Sequence, residues 1–231
     1  MQDHLQVALA ELAAHPIEVT AAGRTDAGVH ATAQVVHFDT TAERDDIAWV
    51  RGTNTTLPPA LRVLWSRRVA DDFHARYGAR SRTYRYVLLN EPVAPAVLHG
   101  RVGWYHRPLD LEAMREGAKS LQGELDFSSF RDAQCQAKSP LRNLTVATVE
   151  RREPFLVFTF RANAFLHHMV RNMVGALVYV GAGKHPPAWI GELLAARDRR
   201  LAAPTFMPDG LYLAGVEYDP AFDLPGRDTF P

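Results

Sequence analysis

Ala21-Ala22-Gly23-Arg24-Thr25-Asp26-Ala27-Gly28-Val29-His30-Ala31 is the stretch around which the rest of the chain makes sense. It lies between two runs that read as strands, Ile17 to Ala22 and Ala33 to Asp39. Two glycines bracket an Arg-Thr-Asp triplet, which is what a sharply turning backbone needs in order to present a short polar side chain. An Asp on such a turn with Arg24 two residues away can stay ionised inside a cleft, because a nearby cation favours the carboxylate. On chemistry alone, a turn with a capping Asp is the plainer reading and a reactive carboxylate the sharper one.

Moving outward from the loop, 231 residues with 47% hydrophobic side chains supply one large domain or two small ones. Lys plus Arg and Asp plus Glu both number 26, so net charge argues neither for nor against a nucleic-acid partner. Cys135 is the single cysteine, which excludes an intrachain disulfide and leaves no Cys-based zinc site to expect. The N-terminus is amphipathic rather than an apolar leader, and the apolar stretch around Met173 to Ala182 is too short to span a bilayer. These features predict a soluble, cytoplasmic protein.

Leu5, Ala8, Leu9 and Leu12 recur at helical spacing between Gln2 and Ala14, and Pro16 closes that helix. A second helix is predicted from Asp45 toward Asn54, stopped by Leu57-Pro58-Pro59, and a third strand over Leu61 to Val69. Arg76, Arg80, Arg82 and Arg85 then cluster among tyrosines, a composition that suits phosphate contacts and base stacking as well as it suits a solvated strand face. Ser81 to Leu89 alternates as a strand, with Tyr84 and Tyr86 on one face and Thr83 and Arg85 on the other. Asp110 caps a helix running to Leu121, and Leu144 to Arg151 with Phe155 to Ala162 reads as a hairpin. Within Asn163 to Leu177, helical spacing puts His167, Arg171 and Val174 on one side. Adjacent residues on a helix do not face each other and no ligand follows at i+4, so His167 and His168 are not expected to hold a metal. A helix over Pro187 to Ala196 and a strand over Gly210 to Tyr218 complete the pattern, with a Pro- and Gly-containing tail from Phe222 expected to be loosely held. Both halves order strands and helices comparably. We expect an α+β fold of two similar α/β subdomains, residues 1–77 and 78–231, with mainly antiparallel sheets flanked by helices and a site in the cleft between them.

The loop resembles the signature of the tRNA pseudouridine synthase A family over about ten contiguous positions, Ala22 to Ala31. Arg80-Ser81-Arg82-Thr83-Tyr84-Arg85-Tyr86, Phe127-Ser128-Ser129-Phe130-Arg131, the His167 to Arg171 stretch and the Gly210 to Leu213 strand resemble further family segments. The resemblance implies that Asp26 is the catalytic carboxylate, that Arg171 pairs with it, that Tyr84 packs against the target uracil and that Arg24 stabilises the flipped-out state. It further implies added phosphate contacts from the Phe127 segment with Arg142, an aliphatic lining from Leu211 or Leu213, and no cofactor or metal. The substrate implied is the anticodon stem-loop of tRNA, at positions 38 to 40, and the assembly a homodimer. The family opens with a strand and a Gly-Trp-Gln turn that do not precede this helix, so a truncated or misassigned start is expected, leaving the first sheet with an unpaired edge.

Isomerising uridine to pseudouridine breaks N1–C1′ and joins C5 to C1′ without gain or loss of atoms. A carboxylate nucleophile divides that into easier steps by adding to the base or to the sugar carbon. Two rivals stand beside it: an RNA-binding protein of the same fold with impaired catalysis, and an Asp-dependent hydrolase or phosphotransferase. The second would call for a paired carboxylate or a metal cluster, neither of which the spacing suggests.

Overall fold

The computed structural model describes residues 1–225. The front of the chain runs through helix α1 (Gln2–Ala13), strands β1 (Thr20–Ala21), β2 (His30–Ala31) and β3 (Val36–His37), and helix α2 (Asp46–Thr56). The described chain divides into two compact units. The first comprises Met1–Arg24, Gln34–Arg80 and a C-terminal stretch from Glu217; the second comprises Thr25–Ala33 and Ser81–Val216. The segment carrying Asp26 therefore belongs with the second unit.

In the first unit, the apolar positions of α1 and α2 meet in one small core of Leu5, Ala8, Leu9, Ala13, Ile17, Val19, Trp49 and Leu57. Phe38 meets Trp49 edge to face at 5.2 Å. Its sheet is a single antiparallel pair, with Thr20 opposite His37 and Ala21 opposite Val36. Both flanking runs are thus shorter than their β-rich sequence predicts, and Leu61 to Val69 forms no strand among the described residues. Side chains occupy the backbone groups that a ladder would use. Gln6 Oε1 accepts from the Val19 N–H, and Gln2 Nε2 donates to the Val19 carbonyl. Asn54 does both for Val63, donating to its carbonyl at 2.7 Å and accepting from its N–H at 2.8 Å. A backbone group already paired with a side chain has no need of a neighbouring strand.

The second unit adds β4 (Ser81–Leu89), β5 (Gly103–Trp104), α3 (Leu111–Lys119), β6 (Gly123–Asp126), β7 (Leu141–Arg152), β8 (Phe155–Ala162), α4 (Met169–Gly181), α5 (Trp189–Ala196) and β9 (Leu211–Glu217). Its sheet has the order β2-β9-β4-β8-β7-β6, with β5 beside β4. β4, β8, β7 and β6 pair antiparallel; β2 with β9 and β4 with β5 are parallel. The mixed α/β architecture with a mainly antiparallel sheet agrees with the expected fold class. Alternation on β4 and β8 turns Tyr86, Leu88, Leu156, Phe158 and Phe160 into the core, where all are fully buried. The helices cover that face, and α4 is buried along nearly its whole length. No helix among the described residues is long and apolar enough to cross a membrane.

Candidate active site

The site is assembled at the N-terminal end of α4. This helix carries one cation in a run of apolar residues, Arg171, whose side chain is 14% exposed. Two features fix it. Gly175, one turn on, leaves room for the chain after α5: a Cβ there would lie 2.6 Å from the Pro204 carbonyl oxygen. That close approach brings Phe206 alongside, where its N–H donates to the Arg171 carbonyl and its own carbonyl accepts from Arg171 Nε at 2.8 Å. Deeper in the same turn, buried Asn172 donates to the Phe130 carbonyl and accepts from Arg199 and Thr205.

Arg171 Nη1 then donates to Asp26 Oδ2 at 3.1 Å. Asp26 arrives on the turn before β2, where its carbonyl accepts from the Val29 N–H. Gly28 makes that turn with φ 82°, and a Cβ at that position would lie 2.9 Å from Pro208 Cγ. β2 seats the turn by pairing His30 with Tyr212 and Ala31 with Leu213. The Asp26 side chain is 26% exposed, so solvent or substrate reaches it. It also touches His168, which caps α4, so it lies near the positive end of the helix dipole.

The two histidines are the chief correction to the sequence reading. They do not lie on the helix, which starts at Met169. His168 adopts the left-handed conformation with φ 59°, a cost of roughly 1–2 kcal/mol for a non-glycine residue. That turn stacks the two rings, centroids 3.9 Å apart and planes 28° apart, instead of splaying them. Their Nε2 atoms lie 3.2 Å from Asp26 Oδ1 (His167) and Oδ2 (His168). Their Nδ1 atoms face Asp132, at 3.5 Å for His167 and 2.8 Å for His168. One ligand atom from each of Asp26, His167 and His168 falls within 4.8 Å of the others, a spacing at which a cation is conceivable. Stacked rings, however, aim their lone pairs nearly parallel, whereas shared coordination needs them to converge. The arrangement suits two imidazoles bridging two carboxylates.

Asp132 went unnoticed in the sequence because the family-like segment Phe127 to Arg131 ends one residue before it. The loop that follows is held by Arg131, whose Nη2 donates to the carbonyls of Cys135 and Ala137. Asp132 Oδ1 accepts from the Gln134 N–H, and that bond, reinforced by His168, holds its carboxyl below the usual carboxylate range despite partial burial.

Of the other expected site residues, Tyr84 is on β4, half-buried, with its ring edge-on to Phe165 at 5.0 Å. Desolvation pushes its phenol up to about 12, with Arg82 opposing and the negative charge of Asp26 adding to the rise. The hydroxyl therefore stays protonated at neutral pH and can donate a hydrogen bond, but it is no resting base. Arg24 is exposed and ends the first stretch of the first unit. Leu211 and Leu213 are both buried. Arg142 Nη1 donates to the carbonyls of Ser139 and Leu141.

A family model described as tRNA pseudouridine synthase matches residues 1–78 and 118–219. The chain is 58% identical over 228 residues to a tRNA pseudouridine synthase A of Methylobacillus flagellatus, covering 99% of this chain and 87% of that protein. It is 60% identical over 227 residues to one from Aromatoleum aromaticum, covering 98% and 86%. One from Nitrosomonas eutropha is 57% identical over 225 residues, covering 97% and 81%.

Proposed function

This chain belongs to the tRNA pseudouridine synthase family of isomerases, and on that premise we propose that it converts uridine to pseudouridine in the anticodon stem-loop of tRNA, at positions 38 to 40, with Asp26 as the nucleophile. The observation that carries the reading is the gathering of Arg171, His167 and His168 around one part-exposed carboxylate. Such an arrangement holds a carboxylate in one orientation, which is what a nucleophile needs before it can add to the base or to C1′.

The remaining roles follow from chemistry. The target base must leave its stack to reach the carboxylate, and exposed Arg24 is suited to a phosphate or to the space the base vacates. Tyr84 offers a ring on which uracil can rest and a neutral hydroxyl that can donate to a carbonyl. Its raised phenol argues for holding the base rather than for taking the C5 proton directly. The redox-neutral chemistry calls for neither cofactor nor metal. A homodimer in the cytoplasm completes the reading.

The test is tritium release from tRNA carrying tritium at C5 of uridine, with Asp26→Asn alongside. Release by the wild type and none by the variant, with tRNA binding kept, supports the nucleophile. Equal loss of binding and turnover makes Asp26 structural. Binding without release by the wild type leaves an RNA-binding protein of this fold, and inhibition by a chelator counts against cofactor-free chemistry.

A further inference from the structure

Asp26 has a second layer of support that the Arg171 pairing does not explain. Asp132 lies on the far side of the histidine pair, and each ring spans the gap between the two carboxylates. The contacts are unequal. His168 Nδ1 to Asp132 Oδ2, at 2.8 Å, is an aligned hydrogen bond, whereas the Nε2 contacts to Asp26 are ion-pair distances of 3.2 Å. The anchor side of this bridge is therefore Asp132.

We propose that Asp132 and His168 are positioning residues for Asp26: Asp132 accepts a hydrogen bond from the Nδ1–H of His168 and so fixes the edge of the imidazole pair against which the Asp26 carboxylate is set. The backbone is built for this. The Asp132 N–H donates to the His167 carbonyl, and the His167 N–H donates to Cys135 Sγ, so the 131–137 loop and the 167–168 turn hold each other at both ends. The left-handed conformation of His168 is what brings both rings to the same side; in a right-handed turn, adjacent side chains would diverge. An ionised Asp132 can only accept, so it dictates which nitrogen of His168 carries hydrogen and leaves Nε2 as the atom that meets Asp26. Asp26 is then gripped by Arg171 at Oδ2 and bounded by the ring edges at both oxygens, so it cannot swing freely on its exposed turn.

The proposal rests on the isomerase reading, and its experiment separates the two. Asp132→Asn keeps the shape and removes the charge; His168→Asn removes the ring while tolerating the left-handed backbone. Turnover and KM for tRNA are measured for wild type and both variants, and the nitrogen NMR signals of the histidine side chains are recorded for wild type and Asp132→Asn. The expected result is a fall in kcat on the order of 10- to 100-fold in each variant, the scale of a misplaced reacting group, with KM unchanged. His168 should carry hydrogen on Nδ1 in the wild type, with a signal that moves in Asp132→Asn. Wild-type kcat in both variants overturns the proposal, as does a joint fall of kcat, tRNA affinity and thermal stability, which would mark a merely structural contact. Should the wild type release no tritium, the isomerase reading fails on its own, and the NMR decides the brace: a bare Nδ1 on His168, or one indifferent to Asp132, overturns it.

Discussion

The two units of this protein solve the same problem, unpaired backbone in apolar β-rich sequence, in different ways. The second unit pairs strands: β4 and β8 run opposite each other from Arg82 with Ala162 to Leu89 with Phe155. The first unit has two residue pairs of ladder and completes itself with amide side chains, Gln2 and Gln6 on Val19 and Asn54 on Val63. Ladders share a register and fail together, whereas side-chain clamps are local and can be removed one at a time. Asp26, Arg171, Tyr84 and the histidine pair all belong to the cooperative unit, although the turn with Asp26 is flanked in sequence by the other unit, to which Arg24 belongs.

The contrast can be broken most forcefully at Phe158, fully buried between β4 and β7. Phe158→Ala is expected to cost about 3–5 kcal/mol, read as a shifted denaturant midpoint with an unchanged slope. A small loss there would mean the large sheet is not the cooperative core. Asn54→Ala is expected to cost about 1–3 kcal/mol, because it strands both polar groups of Val63. Its signature is faster hydrogen exchange confined to the first unit, and exchange rising equally in β8 would merge the two units into one. Gly28→Ala should cost about 1–2 kcal/mol, since φ 82° disfavours a side chain and Pro208 obstructs it. Tritium release should fall more than that stability change explains, because the same turn aims Asp26.

The smallest effect sharpens the comparison through pH. Tyr84 has a folded-state value of about 12 against an ordinary 10.0. A raised folded value means the neutral phenol is favoured by folding, so its stabilising contribution is complete below pH 10 and is lost as pH climbs from 10 toward 12. The ultraviolet difference titration between wild type and Tyr84→Phe should show a single phenolate step near 12. A step near 10 would mean that the β4 surface is open to water.

Legibility in the sequence follows the same division. The strand over Ser81 to Leu89 is found as predicted, and the hairpin around β7 and β8 and the helices agree to within a few residues, because their periodicity agrees with what they pack against. Leu61 to Val69 has strand propensity but no strand partner among the described residues, and propensity alone cannot supply one. At the site, Asp26 and Arg171 were visible as motif residues, and a turn and a helix sufficed to locate them. The histidine pair was misread because the spacing argument assumed a helix through His167 and His168, and one left-handed residue cancels it. Asp132 had no sequence signal pointing to it. Its role arises from the loop bonds of Arg131 and Gln134, which no local pattern announces.

The parallel pairing of β2 with β9 has a consequence during synthesis. Synthesis makes the turn bearing Asp26 well before the strand that seats it, which contains Leu213. Until β9 emerges, the nascent chain carries Asp26 on a turn that lacks its strand partner, so this part of the candidate site is completed late, by a pairing distant in sequence.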